Sequence, residues 1–345
     1  MAAGSMAHST FTRALSLSSL LFAGLGASAC TFGGGYESAY LEAEDVSLEL
    51  PSAAEDFRAE GDLRGDAWWW ANQTAADVNG WVTTVVETSG YIVAFLDDHR
   101  ETSLDGAWRV YGPFDDEGGR EVAWMVRVIG NELDTEFEFL VAPRGSVDPA
   151  AFELLSEGSL TVADDLRYGS VHIDFDTLES YPGLDTTLLW RYAGDVVIDF
   201  ERDVASGEKT IALQFEGFEA KRTGYLDDDE FSSDETYAYH RAADGSGSFH
   251  LALMGEWDSY GWSGPERERM QLDMRWQASG AGRARGLIEE VDGVGDMLHG
   301  DFALHECFDA EGYLDWRELS ALYAELAPGY NFGDASSCVF TDAAL

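Results

Sequence analysis

A chain of 345 residues is long enough for one large β domain or two smaller ones. Its 21 Lys+Arg stand against 65 Asp+Glu, a formal net charge of −44. That field repels phosphate backbones and excludes nucleic acid as a partner, and it admits anionic lipid surfaces only through bridging divalent cations.

The N-terminal stretch "MAHSTFTRALSLSSLLFAGLGASAC" has the layout of an export signal, with Met6 as an alternative start. Arg13 supplies the positive n-region. An apolar run from Ala14 to Leu25 follows, too short to span a bilayer. Small residues Ala27, Ser28 and Ala29 then lead to Cys30. The stretch resembles a bacterial lipobox, with Ala27 where Leu is usual; an ordinary signal peptide is the alternative. The resemblance implies that residues 1–29 are removed and that Cys30 carries lipid, which makes a membrane the N-terminal partner. Thr31 is not the Asp that retains such proteins in the inner membrane, so the expected location is the outer membrane, facing periplasm or cell surface. Only Cys307 and Cys338 then remain, an even pair for a disulfide in an oxidising compartment.

Residues 30–66 form an acidic, poorly patterned tether, with room for one short element and with "RGD" at Arg64–Asp66. An adhesion role for so short a motif is weakly specified. A single β-rich domain is expected over 67–345. Its opening "WWW", Trp68–Trp70, is read as buried aromatic core, or else as an apolar ligand or membrane-interface face. Val78, Val82, Val85, Ser89, Ile92 and Leu96 recur every three or four residues and predict an amphipathic helix over about 72–96, weakened by Gly80 and Gly90.

The period then changes to two. Val122, Trp124, Val126 and Val128 alternate, as do Phe137, Phe139 and Val141 against Glu136 and Glu138. A short helix is expected in "SVDPAAFELLSEG", capped by Asp148 and stopped by Gly158. Alternation resumes in "SVHIDFD", "GDVVIDFE", "TIALQFEGF", "SFHLALMGEW" and "MQLDMRWQA", with hairpin turns in "VASGEK", "AADGSGS" and "SGAGRAR".

The expected fold is therefore mainly β (α+β). A long antiparallel up-and-down meander forms a curved sheet, half-barrel or barrel, with one N-terminal amphipathic helix and a short C-terminal helix. This architecture resembles the half-barrel lipoproteins and lipid carriers of bacterial envelopes. "DGAWRVYGPFDDEGG", "WQASGAGRARGLI" and the pair "HECFD" and "GDASSCVF" are similar to a group of uncharacterised bacterial lipoproteins. That likeness implies localisation and fold, and brings no activity with it.

Chemistry is sparse. Seven histidines are scattered without zinc-ligand spacing, and no nucleophile elbow or phosphate loop is present. The acidic run holding Asp227, Asp228 and Asp229 is a loop between strands or a weak Ca²⁺ site. "HECFDAEGYLDWREL" resembles an EF-hand loop, with Asp309, Glu311, Asp315 and Glu318 at ligand positions. Cys307 stands where the first ligand belongs, and Asp315 and Glu318 equally suit the cap of a helix carrying Leu319, Leu322, Tyr323 and Leu326. The disulfide-stapled C-terminus is set at 305–345. Three functions stay open: a non-catalytic structural or interaction lipoprotein, a carrier of a lipid or other apolar ligand inside the half-barrel, and a hydrolase with a carboxylate site. A protein partner is not specified.

Overall fold

The computed structural model describes residues 41–51, 65–76, 79, 101–116, 120–131, 133–181, 190–222, 230–233, 236–255, 267–291 and 301–341. Among the described residues sixteen strands form one antiparallel sheet. They are β1 (Ser103–Asp105), β2 (Trp108–Asp115), β3 (Val122–Gly130), β4 (Asp134–Pro143), β5 (Glu153–Ala163), β6 (Leu166–Asp174), β7 (Trp190–Asp203) and β8 (Lys209–Arg222). Then come β9 (Glu230–Ser233), β10 (Thr236–Arg241), β11 (Gly247–Gly255), β12 (Glu268–Trp276), β13 (Gly282–Glu289), β14 (Phe302–Phe308), β15 (Leu314–Leu319) and β16 (Phe332–Gly333). Each strand pairs with its sequence neighbour, except that β9 sits off the path between β8 and β11. The sheet is curved and open, so the meander closes no barrel: β1 lies at one end and β16 at the other.

The alternation read from sequence holds where one face meets the core. Val196, Ile198 and Phe200 of β7, Ile211 and Leu213 of β8, and Leu272 and Met274 of β12 point inward and are almost fully buried. The hairpins at 204–208, 242–246 and 277–281 join the expected strands. Beyond the alternation, β3 is buried on both faces. Val122 and Val126 belong to the main core, while Ala123 and Met125 join a second cluster with Val110, Leu140, Ala142 and Phe152 on the opposite side.

Helices depart from expectation more than strands do. The N-terminal helix covers residues 66–76, beginning before Trp68; Val78, Val82, Val85, Ser89, Ile92 and Leu96 lie outside the described residues. The helix expected in "SVDPAAFELLSEG" is a single 3₁₀ turn, Pro149–Ala151, in which the Asp148 side chain accepts from the Ala150 amide. Glu153 onward becomes β5, because Leu154 and Ser156 find partners in β4 and β6. "SVHIDFD" stops being a strand at Asp174, whose carboxylate accepts from the Thr177 amide and hydroxyl and caps an unforeseen helix, Phe175–Ser180. The C-terminal helix is Ala321–Leu326 with Ser320 as its N-cap; Asp315 and Glu318 belong to β15 instead. A strand there has two neighbours to pair with, β14 and β16, and buries Leu314 and Leu319.

Candidate functional site

The face of the sheet that carries the main core is where the chain concentrates its buried charge. Four cations stand side by side in one row, because direct antiparallel partners share a face. Arg167 of β6 opposes Arg202 of β7, Arg202 opposes Lys209 of β8, and Lys209 opposes Arg241 of β10. Like charges placed directly opposite one another are destabilising, so this row needs anions. They come from residues 42–49, expected as acidic tether with room for one short element and found as a strap laid across the strands.

The strap is built around a four-residue helical turn, Ala43–Val46, whose Glu42 amide donates to Asp45 Oδ2 at 2.9 Å. Asp45 is completely buried and accepts from Arg167 through Nε at 2.9 Å and Nη2 at 2.8 Å. It also accepts from Arg202 Nη1 at 3.1 Å, and the same nitrogen reaches Glu42 Oε2 at 3.1 Å. Further along, Lys209 Nζ donates to the Ser47 carbonyl at 3.0 Å and pairs with Glu49 Oε1 at 3.2 Å, while Arg241 pairs with the other Glu49 oxygen. Lys209 is 2% exposed. Burial, with Arg202 and Arg241 beside it, holds its ammonium below the usual lysine range against the pull of Glu49. Tyr239 fastens the strap by its backbone, accepting from the Glu49 amide and donating to the Glu49 carbonyl, both at 3.2 Å; its burial pushes the phenol up to about 12.

Beyond the cations the same row turns aromatic. Gly247 opposes Trp276, Trp276 opposes Gly282, and Gly282 opposes Phe308. A side chain on either glycine would collide with the ring beside it. The glycines are thus the floor on which Trp276 and Phe308 lie.

The helix of residues 66–76 completes the cover. Ala67, Trp68, Ala71 and Ala75 join the core together with Val46 and Leu48 of the strap, and Trp69 and Trp70 pack against that core half-buried. Strap and helix are tied to each other by Asn79, which donates to the Leu48 carbonyl at 2.8 Å and accepts from the Leu48 amide. The helix starts on Glu306 of β14. This fully buried carboxylate accepts the Asp66 and Ala67 amides at 2.8 Å each and the Trp68 amide at 3.4 Å. Burial and the nearby Asp66 carboxylate push the Glu306 carboxyl up to about 7, against the amides and Arg317. Of the RGD motif, Gly65 is buried against Glu306 and the Asp66 carboxylate lies 3.6 Å from Arg317 Nη1, while Arg64 lies outside the described residues.

The EF-hand-like stretch is a hairpin. Asp309 Oδ1 accepts the Glu311 and Tyr313 amides at 2.9 Å each, and the Asp309 amide donates to the Tyr313 carbonyl across the turn at 2.9 Å. Asp315 and Glu318 follow on β15 and are exposed. Asp309, Glu311, Asp315 and Glu318 do not converge, and no group of three or more His, Cys, Asp or Glu that could hold a metal occurs among the described residues. Asp227, Asp228 and Asp229 lie outside them, as does Cys30. Cys307 and Cys338 form the expected disulfide, with Cα atoms 5.5 Å apart. Phe340 then lies on the outer face, where Arg283 Nη1 donates to its carbonyl at 3.1 Å and Arg275 sits 5.3 Å over its ring.

The outer face also places two histidines beside carboxylates. His172 Nε2 is 2.7 Å from Asp195 Oδ1, and His250 Nδ1 is 2.7 Å from Asp273 Oδ1. Asp273 also accepts from Arg285 Nη2 at 2.6 Å and Gln271 Nε2 at 2.8 Å. Burial works against this carboxylate, but the bonds from His250 and Arg285 prevail and hold it below its usual range. His250, Asp273, Arg285, His305 and Glu318 form one continuous cross-strand row. Asp273 in this row is saturated by neighbours, which is the arrangement of a structural ladder rather than of a poised base.

No family model, no curated protein and no solved structure matches the chain. Among the described residues no helix is long and apolar enough to cross a membrane.

Proposed function

We propose that the chain is a lipid-anchored envelope protein, held at the bacterial outer membrane through Cys30, whose stapled open sheet serves as a non-catalytic structural or interaction surface. The observation that carries this reading is the short path from Cys30 to the strap. Glu42 is twelve residues beyond the lipobox cysteine and is already paired with Arg202. At about 3.5 Å per residue the intervening chain reaches at most roughly 40 Å, so the lipid would hold this rim of the sheet close to the bilayer. A disulfide belongs to the same oxidising side of the membrane, and the expected resemblance to uncharacterised envelope lipoproteins agrees with it. Metabolic labelling with a fatty acid, followed by mass spectrometry of the N-terminal peptide, tests the anchor. Label on Cys30 that is lost, with release from the membrane fraction, in Cys30→Ser supports it; an unlabelled, soluble wild-type protein rejects it.

A second reading, a carrier for an apolar ligand, is favoured by one observation. The Thr74 hydroxyl and the Tyr237 phenol are buried and hydrogen-bonded to nothing among the described residues, and such groups call for a partner. A small apolar molecule with a polar head would supply one, although the strap and helix already cover part of the core face. Native mass spectrometry of the unacylated protein decides it: a retained adduct supports a carrier, and a bare mass at every preparation removes the reading.

A further inference from the structure

Glu306 is placed in a way that a purely structural cap does not require. Helix N-termini are ordinarily satisfied by a neutral Ser or Thr, or by an Asp or Asn on the helix's own chain at the surface. Here the acceptor comes from a strand about 240 positions away in sequence and has no contact with water. The groups facing it are few. Asp66, on the helix, presents a second carboxylate. Arg317, its cross-strand partner on β15, presents a cation. Ala284, its partner on β13, presents neither. Arg317 is shared, since its Nη1 lies 3.6 Å from Asp66, its Nε donates to the Tyr330 carbonyl at 2.9 Å, and its guanidinium sits 3.5 Å over the Tyr330 ring. Two carboxylates thus converge on a buried helix end, and Arg317 is divided between them.

We propose that Glu306 is a proton-operated latch: its neutral carboxyl group keeps the N-terminus of the 66–76 helix docked on β14, and its ionised form lets that end lift from the core face of the sheet. Docked, an ionised Glu306 is stripped of water and faces Asp66; lifted, it is hydrated. The neutral acid carries neither cost and still offers oxygen to the helix amides. The contacts that oppose lifting are those of Ala67, Trp68, Ala71 and Ala75 in the core, with Trp69 and Trp70 packed against it, and the charge on Glu306 works against them. The docked form holds its proton up to about 7, whereas a hydrated carboxyl releases it near 4.5. Linkage then makes the opening constant rise by roughly two orders of magnitude across that interval and level off beyond it. The latch stands independently of the anchor, since it concerns the fold alone.

Hydrogen–deuterium exchange of the full-length protein between pH 5 and pH 8, corrected for intrinsic rates, tests it. Peptides covering 66–76 are expected to lose tens-fold more protection with rising pH than peptides of β7 and β8. Glu306→Gln abolishes the difference, and Asp66→Asn, which removes the facing charge and leaves Arg317 to Glu306, moves its midpoint to lower pH. Equal or absent pH dependence in the two wild-type segments overturns the latch even if the Gln variant does not fold. So does a midpoint that Asp66→Asn leaves unmoved.

Discussion

Gly65 and Glu306 share one small volume. A Cβ on Gly65 would overlap Oε2 of Glu306, the same oxygen that accepts the Ala67 and Trp68 amides. The glycine is required by close approach, not by an unusual backbone angle. Gly65→Ala is therefore expected to push the carboxylate off the helix end and destabilise the fold by about 1–3 kcal/mol, the usual cost of overpacking. Urea unfolding measures it. Glu306→Asp, one methylene shorter, should recover part of the loss in the Gly65→Ala background by withdrawing the oxygen; additive losses would show that the two residues do not share that space.

The strap makes an ordered prediction. Removing Asp45 leaves Arg167 buried beside Arg202 without its main partner, and breaking one side of a buried pair typically costs about 3–5 kcal/mol. Glu42 is half-exposed, and its loss should cost under about 1 kcal/mol. Chemical denaturation of Asp45→Asn and Glu42→Gln is expected to show that order. Equal effects would mean that the row of cations does not depend on the buried acid.

That row was legible in part. Arg167 continues the parity of Val171 and Ile173, Arg202 that of Ile198 and Phe200, Lys209 that of Ile211 and Leu213, and Arg241 that of Tyr237 and Tyr239. A cation at the apolar phase at the end of four strands is a signal that alternation alone could have exposed. Its partner could not be found in the same way. Nothing local in residues 42–49 requires Asp45 to be buried; that follows only once the sheet has placed four cations in a row. Glu306 is similar: in "HECFD" it shares the inward phase of Leu304 and Phe308, but the helix end that uses it lies far away in the chain. Local pairing and turn chemistry thus specified the meander well. Helix boundaries failed because Asp315 and Glu318 satisfy a helix cap and a strand equally, and pairing with β14 and β16 decided between them.

The C-terminal hairpin separates turn chemistry from metal binding. Asp309 already accepts two backbone amides, so Asp309→Ala should cost about 1 kcal/mol and cost the same with calcium and with a chelator. The disulfide closes a separation of 31 residues, worth about 3–4 kcal/mol by the loop-entropy argument. Cys338→Ser should lower the melting temperature accordingly, again without regard to calcium. A calcium-dependent gain in melting temperature that Asp309→Ala abolishes would restore the metal reading of this loop.

Asp273 carries the clearest acid-side prediction. Its folded-state pKa lies below the ordinary 3.8 because bonds from His250 and Arg285 outweigh burial. A carboxyl depressed on folding contributes stability that is fully present above 3.8 and is lost as pH falls through the folded value. The wild type should therefore lose stability steeply below about pH 4, on top of the general effect of neutralising its many surface acids. Asp273→Asn removes the proton uptake. It should be less stable than the wild type at neutral pH, where Arg285 and His250 lose their charged acceptor, and the gap should narrow as pH drops toward 3. Denaturant unfolding of both proteins across that range checks the sign, and a gap of constant size would show that Asp273 is not the group whose protonation weakens the β11–β13 ladder.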